Sequence, residues 1–392
     1  MGLEPRNQLE ELFRAALAAV DPARVVPPAL DRLPSPARDP HLFALGKAAP
    51  GMARAAAAWL RGRGLGVGGG VVAHGVDAGA EDGALAHLAW VEGDHPVPGP
   101  RSAAAAAAVG DAAGRVRPGD EVLVLVSGGT SSLIAAAVPG AGSGDLAARF
   151  GTLLASGQDV REMNAVRRRL LRWGGGGLAR ALAGARVRCV VLSDVPGGGP
   201  HDVGSGPCDL PSVPTVVAAD NRTAVLGAVA AARDRGWDAA AACEELRGEA
   251  AGCGRRLAAR LAALAWGDDG GTVRCLVWGG ETAVRLGGAT GRGGRSQELA
   301  LAAGERLTAA RVGARVTLLA AGTDGRDGPT DAAGGAVNGH SWPAIAAAGL
   351  EPATQLARHD AYPALDAIGA LVRTGPTGTN VADLALGLVH PA

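Results

Sequence analysis

Lysine is almost absent from this chain of 392 residues, which makes the lysine that remains informative. Lys47 is the sole lysine, and arginine supplies the other 37 of the 38 basic side chains. The formal net charge is +0, and no basic stripe runs along any segment. Because proteins that bind nucleic acid need clustered positive charge, we expect no nucleic-acid partner. A residue type that is used once is a candidate for function, so Lys47 is the first candidate.

The chain also lacks cysteine pairs, metal-ligand spacings and long apolar runs. Its five cysteines form no CxxC pair, and no His and Cys spacing typical of structural zinc occurs. We therefore expect reduced cysteines, as in a cytoplasmic protein. No run of about 18 or more apolar residues is free of glycine and charge, so we expect no membrane partner. The amphipathic start of the chain differs from a signal peptide.

Aromatic residues are scarce, at 3%, although 47% of the residues are hydrophobic. Alanine, valine and leucine must therefore fill the core, which suits close packing of helices on a sheet. A chain of 392 residues is long enough for two domains that each have a core.

Four short apolar runs each end in a loop that combines glycine with hydroxyl or acidic residues. These runs are Glu121–Val126, Arg188–Leu192, Arg274–Trp278 and Arg315–Ala321. Helical stretches separate the runs, so they predict buried parallel strands. Ligands of open α/β sheets bind beyond the carboxyl ends of such strands. We therefore expect the functional site in the loops that follow the four runs.

The alternation of strands and helices predicts an α/β fold with two domains. We expect an N-terminal, doubly wound, Rossmann-like parallel sheet over residues 1–240 and a smaller C-terminal α/β domain over residues 241–392. In this arrangement, the last helix of the C-terminal domain can pack on the N-terminal domain. We also expect a loop over Asp21–Pro40 and a helix over Ala239–Ala265.

Two segments near the start of predicted helices are candidate anion sites. Ser127–Ser132 contains two glycines and several hydroxyls, a pattern that favours an anion-binding nest over an ordinary turn. Lys47 lies between the predicted strand His41–Leu45 and a helix, where an ammonium group can bind phosphate or carboxylate. The alternative for Lys47 is an exposed position at a helix start. Neither segment is a Walker A loop, since GxxxxGK[ST] is absent.

The last third of the chain contains an acidic loop and an arginine-glycine loop. Asp324, Asp327 and Asp331 are close enough to repel one another unless a cation or a hydrogen-bond network holds them. Mg²⁺ that bridges phosphate oxygens would explain them, and Asp-Gly turn chemistry is the alternative. Arg295, in the loop Gly291–Glu298, is a candidate for stabilising a phosphoryl group, with a solvent-facing arginine as the alternative.

A GxGxxG pattern occurs at Gly64, Gly66 and Gly69. The dinucleotide-binding pattern follows a strand and begins a helix, whereas this one precedes a predicted strand. We therefore do not expect it to bind a dinucleotide.

In their order along the chain, these and further motifs resemble the glycerate 2-kinase family, whose members have a MOFRL-type C-terminal domain. The resemblance runs from about Phe43 to Asp383, most of the chain. It is carried by Gly46-Lys47-Ala48, His95-Pro96-Val97-Pro98, Ser127-Gly128-Gly129, Ser156-Gly157 with Asn164 and Arg167, Ser193-Asp194-Val195-Pro196-Gly197, Ser205-Gly206-Pro207, Gly279-Gly280-Glu281-Thr282, Gly293-Gly294-Arg295, Thr323-Asp324-Gly325 with Asp327-Gly328-Pro329-Thr330-Asp331, and Thr374-Gly375-Pro376-Thr377-Gly378-Thr379-Asn380.

The resemblance implies phosphorylation of D-glycerate at its 2-hydroxyl by ATP with Mg²⁺, giving 2-phosphoglycerate and ADP, in a cleft between two α/β domains. The resemblance is also compatible with a homodimer. The residue roles that we carry over are catalysis for Lys47, Asp194 and Arg295; substrate and phosphate binding for Ser127, Gly128, Gly129, Thr130, Ser131, Asn164 and Arg167; nucleotide binding for Gly280, Glu281, Thr282, Asp324 and Gly325; and Mg²⁺ binding for Asp324 and Asp327.

The chain departs from the family pattern after the helix that carries Asn164. Relatives commonly have a lysine where this chain has Gly174–Gly176, and Arg168, Arg169 or Arg172 are candidates to replace its charge. Because of this departure, one alternative is that the protein is a family relative that binds the ligand but has impaired catalysis. Some family members were formerly named hydroxypyruvate reductases, so an NAD(P)H-dependent reductase is the other alternative.

Overall fold

The computed structural model describes residues 4–75, 83–138, 146–155, 160–267, 271–285 and 291–391, so the motif Ser156-Gly157 lies outside the described residues. The chain forms two compact units. The parallel-sheet unit consists of Val20–Asp220 and Gly378–Val381. The mixed-sheet unit consists of Met1–Ala19, Asn221–Thr377 and Ala382–Ala392. These units interleave along the chain, unlike the continuous segments 1–240 and 241–392, which stay a prediction about domain boundaries.

All six strands of the parallel-sheet unit run parallel, which confirms the predicted doubly wound sheet. Their order is β3-β2-β1-β4-β5-β6, so the winding direction reverses between β1 and β4. Ligands bind at such a reversal in doubly wound sheets. The strands are β1 (His41–Leu45), β2 (Gly69–His74), β3 (Ala89–Glu92), β4 (Glu121–Val126), β5 (Arg186–Leu192) and β6 (Thr215–Ala219).

Helices with small apolar faces pack on this sheet. Alternate residues of the central strands, such as Phe43 and Val124, share one buried cluster with Ala105 and Val109 of α4. Alanine side chains allow this close approach of helix and sheet, as the composition suggested. The helices of the unit are α2 (Pro22–Asp31), α3 (Ala49–Arg61), α4 (Pro100–Gly114), α5 (Thr130–Leu133), α6 (Leu146–Ala155), α7 (Val160–Leu170) and α8 (Gly177–Ala181).

The loop that was expected over Asp21–Pro40 was wrong in its first half, where helix α2 forms, and residues 32–40 have no helix or strand. Pro22 occupies the first turn, where a helix does not need the missing N–H. The Asp21 carboxylate accepts the Ala23 N–H at 2.8 Å and caps the helix. The proline content suggested a loop, but proline at a helix start is a signal for the helix itself.

The mixed-sheet unit corrects the expectation that all four apolar runs belong to parallel sheets. Its order is β11-β10-β9-β12-β8-β7, and β12 lies antiparallel between β8 and β9. Only β7 and β8 are parallel neighbours. The strands are β7 (Asp238–Ala241), β8 (Arg274–Gly280), β9 (Val316–Gly322), β10 (Gly334–Asn338), β11 (Leu371–Val372) and β12 (Asp383–Val389). Since β8 and β9 both oppose β12, their carboxyl ends still share one edge.

The helices of the mixed-sheet unit include the first helix of the chain, which packs on α9. The expected helix over Ala239–Ala265 was wrong at its start, because Asp238–Ala241 is a strand. The last helix packs on α11 within its own unit. The helices are α1 (Pro5–Ala19), α9 (Asn221–Arg233), α10 (Ala250–Trp266), α11 (Arg295–Ala309), α12 (Ser341–Ala347), α13 (Pro352–Ala357) and α14 (Ala361–Ala367). Among the described residues, we find no helix with the length and apolar character to cross a membrane.

Candidate active site

Three of the predicted site segments of the parallel-sheet unit follow adjacent strands. Gly46-Lys47 follows β1, Ser127–Gly129 follows β4, and Ser193-Asp194 follows β5. The first two flank the reversal of strand order. The fold therefore brings these candidates to the sheet edge where ligands of this fold class bind.

The loops after β1 and β4 interlock through backbone contacts. Lys47 N–H donates to the Gly128 carbonyl at 2.9 Å, and Ala48 N–H donates to Ser127 Oγ at 3.0 Å. Gly46 has φ +119°, and a Cβ there would lie 2.3 Å from Ser127 Oγ. Glycine is therefore required at position 46 for both its backbone conformation and this close approach. The interlock fixes the start of the Lys47 side chain against the Ser127 loop.

Gly128 and Gly129 leave space for three side chains that matter to the site. A Cβ on Gly128 would lie 1.7 Å from Asp194 Oδ2, so the Asp194 carboxylate packs directly on the Gly128 backbone. A Cβ on Gly129, where φ is +84°, would lie 3.1 Å from Lys47 Cγ and 3.3 Å from His95 Cδ2. The structure thus brings Lys47, Gly128, Gly129 and Asp194 together from separate loops, while their roles stay predictions.

The hydroxyls of the Ser127–Ser132 loop bond to other groups of the protein, and their expected role in anion binding stays a prediction. Thr130 Oγ1 donates to the Ser127 carbonyl at 2.7 Å, and Ser132 Oγ donates to the Pro96 carbonyl at 2.7 Å. Ser131 Oγ lies 2.6 Å from Ser205 Oγ. The hydroxyls therefore hold the loop in shape. Any anion in this loop would depend mainly on its backbone N–H groups.

The predicted glycerate-binding pair lies on α7 and is held by the turn that follows β5. Asn164 is 4% exposed, and its Nδ2 donates to the Asp202 carbonyl at 2.7 Å. Arg167 Nη1 donates to Asn164 Oδ1 at 3.4 Å, and its guanidinium stacks on Phe150. Ser205, three residues after Asp202, contacts Ser131. The turn 202–205 therefore connects α7 with the anion loop.

Two of the three arginines considered as replacements for the missing lysine are held by neighbouring side chains. Arg168 Nη2 lies 3.4 Å from Asp202 Oδ1, and the Arg172 guanidinium lies 4.5 Å above the Trp173 ring. Arg169, on the last turn of α7, is exposed. Arg168 thus points at the same turn that holds Asn164.

In the mixed-sheet unit, an arginine and two carboxylates meet where β8, β9 and β12 adjoin. Asp383 begins β12 and pairs with both Gly280 and Gly322. Its carboxylate binds Arg295 in a bidentate manner, at 2.5 Å to Nε and 3.0 Å to Nη2. Arg295 Nη1 also donates to Glu281. Arg295 is therefore held by two acids, in contrast to the solvent-facing arginine that was the alternative.

Asp327 caps a helix, and the structure gives no support to its assignment as an Mg²⁺ ligand. Its carboxylate accepts the Ser296 N–H at 3.1 Å and the Gln297 N–H at 2.7 Å, at the first turn of α11. Burial raises the pKa of Asp327 to about 7, and nearby Asp383 adds to the rise. Both carboxylate oxygens are therefore engaged by the protein. Asp327 therefore has a structural role at this cap, and its assignment as an Mg²⁺ ligand stays a prediction.

The remaining predicted nucleotide residues lie at the ends of β8 and β9. Asp324 is half-buried, and its Oδ1 accepts the Arg326 N–H at 3.1 Å. Gly325 has φ +86°, and a Cβ there would lie 2.0 Å from the Gly375 carbonyl oxygen. A Cβ on Gly280 would lie 2.3 Å from the Leu246 carbonyl oxygen, and Thr282 is buried. The structure thus brings Gly280, Glu281 and Asp324 to one edge of the mixed sheet.

Mg²⁺ prefers oxygen ligands, so carboxylate groups are the side chains that could hold it. In the described part of the chain, no group of three or more His, Cys, Asp or Glu side chains is placed to hold a metal ion. A single accessible carboxylate such as Asp324 suits Mg²⁺ that is carried mainly by nucleotide phosphates. The residues present therefore fit an ion that is carried by its nucleotide, which Asp324 would help to hold.

Two families match successive parts of the chain. Residues 8–227 match a domain of unknown function, DUF4147, and residues 274–383 match the MOFRL family. D-glycerate 2-kinase of Thermotoga maritima is 33% identical over 97% of this chain and 97% of its own length. The chain belongs to the glycerate 2-kinase family. It is accordingly a phosphotransferase with an alcohol group as acceptor, as the sequence predicted.

A solved structure and a further relative are also similar to this chain over most of its length. The crystal structure of a Thermotoga maritima glycerate kinase superimposes with a TM-score of 0.82 at 32% identity, covering 98% of this chain and 99% of that chain. A relative from Agrobacterium vitis, 36% identical over 98% of this chain and 94% of its own length, has the name putative hydroxypyruvate reductase. The glycine run Gly64–Gly69 leads into β2, so the dinucleotide-binding arrangement is not formed there.

Sequence reasoning missed several residues that contact predicted site residues, among them Asp383 and Asn380. Asp383 binds Arg295, and Asn380 Nδ2 donates to Asp194 Oδ2 at 3.2 Å. The short apolar run after Asp383 was a usable signal for β12. Asn380 was present in a family motif, but its partner lies 186 positions away in the sequence, so no local pattern could reveal the contact.

Proposed function

We propose that the protein phosphorylates D-glycerate at its 2-hydroxyl with ATP, giving 2-phosphoglycerate and ADP. The observation that carries the proposal is the convergence of Lys47, the Ser127–Thr130 loop and Asp194 at the reversal of strand order. The likeness to the Thermotoga maritima enzyme over almost the whole chain supports the same conclusion.

In this proposal, the parallel-sheet unit binds and activates the acceptor. Asp194 orients the 2-hydroxyl and accepts its proton as the new bond to the γ-phosphorus forms and the bond to ADP breaks. Lys47 and the backbone N–H groups of the Ser127–Thr130 loop stabilise negative charge on the phosphoryl group or the glycerate carboxylate. Asn164 and Arg167 bind glycerate. Phosphoryl transfer needs this alignment and charge neutralisation more than covalent chemistry.

The mixed-sheet unit supplies the nucleotide residues of the proposal. Gly280, Glu281, Thr282 and Gly325 bind ATP, and Asp324 holds Mg²⁺. When bound, Mg²⁺ neutralises charge on the phosphate oxygens. Arg295 cannot act as a free cation, because Asp383 and Glu281 share its charge. We therefore assign Arg295 to shaping the nucleotide loop and reserve direct charge stabilisation for Lys47.

The Mg²⁺ assignment has its own test, in the Asp324→Asn variant. We expect this variant to need a higher Mg²⁺ concentration for half-maximal turnover, because it loses a carboxylate ligand. Asp331→Asn is the matched control, since the Asp331 carboxylate is engaged by Tyr362 and Arg373. An unchanged Mg²⁺ titration of Asp324→Asn would remove Asp324 from the metal site.

Product identification tests the reaction itself. The protein is incubated with ATP, Mg²⁺ and D-glycerate, and the phosphorylated product is assigned by ³¹P NMR against 2- and 3-phosphoglycerate standards. Parallel incubations contain hydroxypyruvate with NADH or NADPH. We expect 2-phosphoglycerate and no oxidation of the nicotinamide. Binding of glycerate without turnover or oxidation of NAD(P)H would overturn the proposal in favour of one of the two alternatives, and formation of 3-phosphoglycerate would place the transfer at the 3-hydroxyl instead.

A further inference from the structure

Asn380 is a buried amide that meets the proposed catalytic carboxylate. Its Nδ2 donates to Asp194 Oδ2 at 3.2 Å, and the residue is only 5% exposed. Because an ionised carboxylate only accepts hydrogen bonds, the amide must present its nitrogen to Asp194. The backbone of Gly128 lies against the same pair, since a Cβ there would be 2.5 Å from Asn380 Nδ2.

The segment that carries Asn380 is anchored on both sides. Thr379 Oγ1 donates to the Val20 carbonyl at 2.8 Å, and Val381 is fully buried. Segment Gly378–Val381 belongs to the parallel-sheet unit although its neighbours in the chain do not. A donor on an anchored backbone can hold a carboxylate in one orientation at little entropic cost.

We propose that Asn380 is a positioning residue that fixes the orientation of the Asp194 carboxylate for proton removal from the acceptor hydroxyl. A neutral amide suits this role better than an arginine or lysine. A cation at this distance would stabilise the ionised form strongly and weaken Asp194 as a base, whereas an amide orients it with a smaller effect. The inference rests on the proposed function, in which Asp194 activates the hydroxyl.

The test compares Asn380→Ala, Asp194→Asn and the double variant by kcat and KM for D-glycerate. We expect Asn380→Ala to lower kcat by about 10²-fold, because misplacing a catalytic group has effects of this size, with little change in KM. The double variant should be no slower than Asp194→Asn, since Asn380 acts through Asp194. The matched control is Asn338→Ala, which removes an amide that accepts the His340 N–H in the mixed-sheet unit and should keep kcat within about threefold of wild type.

A second variant keeps the test informative if Asn380→Ala fails to fold. Asn380→Asp keeps the size of the side chain and places two carboxylates about 3 Å apart, where they share a proton. Its kcat should therefore vary with pH across a range in which the wild type is flat. A purely structural role for Asn380 predicts the wild-type pH profile.

The outcomes separate this inference from the proposed function. Full turnover of Asn380→Ala, multiplicative losses in the double variant, or an equal loss in Asn338→Ala would each overturn the positioning role alone. Full turnover of Asp194→Asn would instead overturn the role of Asp194 as the base, and the positioning role with it.

Discussion

At the scale of single residues, the site depends on glycines that allow polar groups to meet. Gly46, Gly128 and Gly129 each lie where a Cβ would come close to a site atom. Lys47 begins from this arrangement, with its backbone N–H bonded to the Gly128 carbonyl. The loop geometry around Lys47 thus supports the functional role that its rarity suggested.

Replacing Lys47 should test its charge directly. We expect Lys47→Ala to lower turnover by about 10²–10³-fold while the protein stays folded, because a charge-stabilising donor is lost. Arg61→Ala, at the end of the helix that follows Lys47, is the control and should keep wild-type turnover. Steady-state rates and circular dichroism measure both effects. Near-normal turnover of a folded Lys47→Ala would assign the lysine to the surface.

Gly128→Ala should damage the site by steric displacement alone. The new methyl group would overlap Asp194 Oδ2 and Asn380 Nδ2, so turnover should fall by about 10²-fold or more. The control is Gly114→Ala, because a Cβ at the end of α4 meets nothing within 4 Å. This control should keep full activity and stabilise the fold by up to about 1 kcal/mol. Equal rates in the two variants would show that the Asp194 carboxylate has no fixed place in catalysis.

At the scale of elements, helix α11 depends on a cap that comes from another segment. Gly294 precedes the helix and has no side chain to accept its first N–H groups. Asp327 supplies the acceptor, and a Cβ on Gly294 would lie 2.3 Å from its Cγ. The acidic loop and the arginine-glycine loop, which the sequence showed as separate motifs, form one structural unit through this cap.

The raised pKa of Asp327 predicts a pH-dependent contribution to stability. The folded protein binds a proton at Asp327 below about pH 7, whereas the unfolded chain does so only near its usual pKa of 3.8. The contribution of Asp327 to the free energy of unfolding therefore rises as the pH falls from about 7 to about 4. Burial also raises the pKa of Asp383, which acts in the same direction.

Denaturant unfolding at pH 5 and pH 8 measures this effect. Between these values, the stability of the wild type relative to Asp327→Asn should increase toward pH 5, because asparagine does not titrate. Asp331→Asn is the control, since hydrogen bonds from Tyr362 and Arg373 lower the pKa of Asp331 below this range. A constant difference between wild type and Asp327→Asn would contradict the raised pKa.

At the scale of the whole molecule, the proposed roles are divided between the two compact units. Lys47 and Asp194 belong to the parallel-sheet unit, and Glu281, Arg295 and Asp324 belong to the mixed-sheet unit. If one chain carries every role, then an equimolar mixture of Lys47→Ala and Asp324→Asn proteins should show no more activity than the sum of the two alone. Recovery of activity in the mixture would show that chains exchange site residues in an oligomer.

The sequence by itself determined the class of fold, the strands that carry the site and most of the loops that follow them. These features are encoded locally, in runs of apolar residues that end in glycine and polar groups, and in ordered family motifs. The antiparallel place of β12, the Asp383–Arg295 pair, the Asp327 cap and the Asn380–Asp194 contact were decided by the tertiary structure. Each joins segments from 30 to 186 positions apart, and such pairings depend on strand order and packing, which no local pattern records.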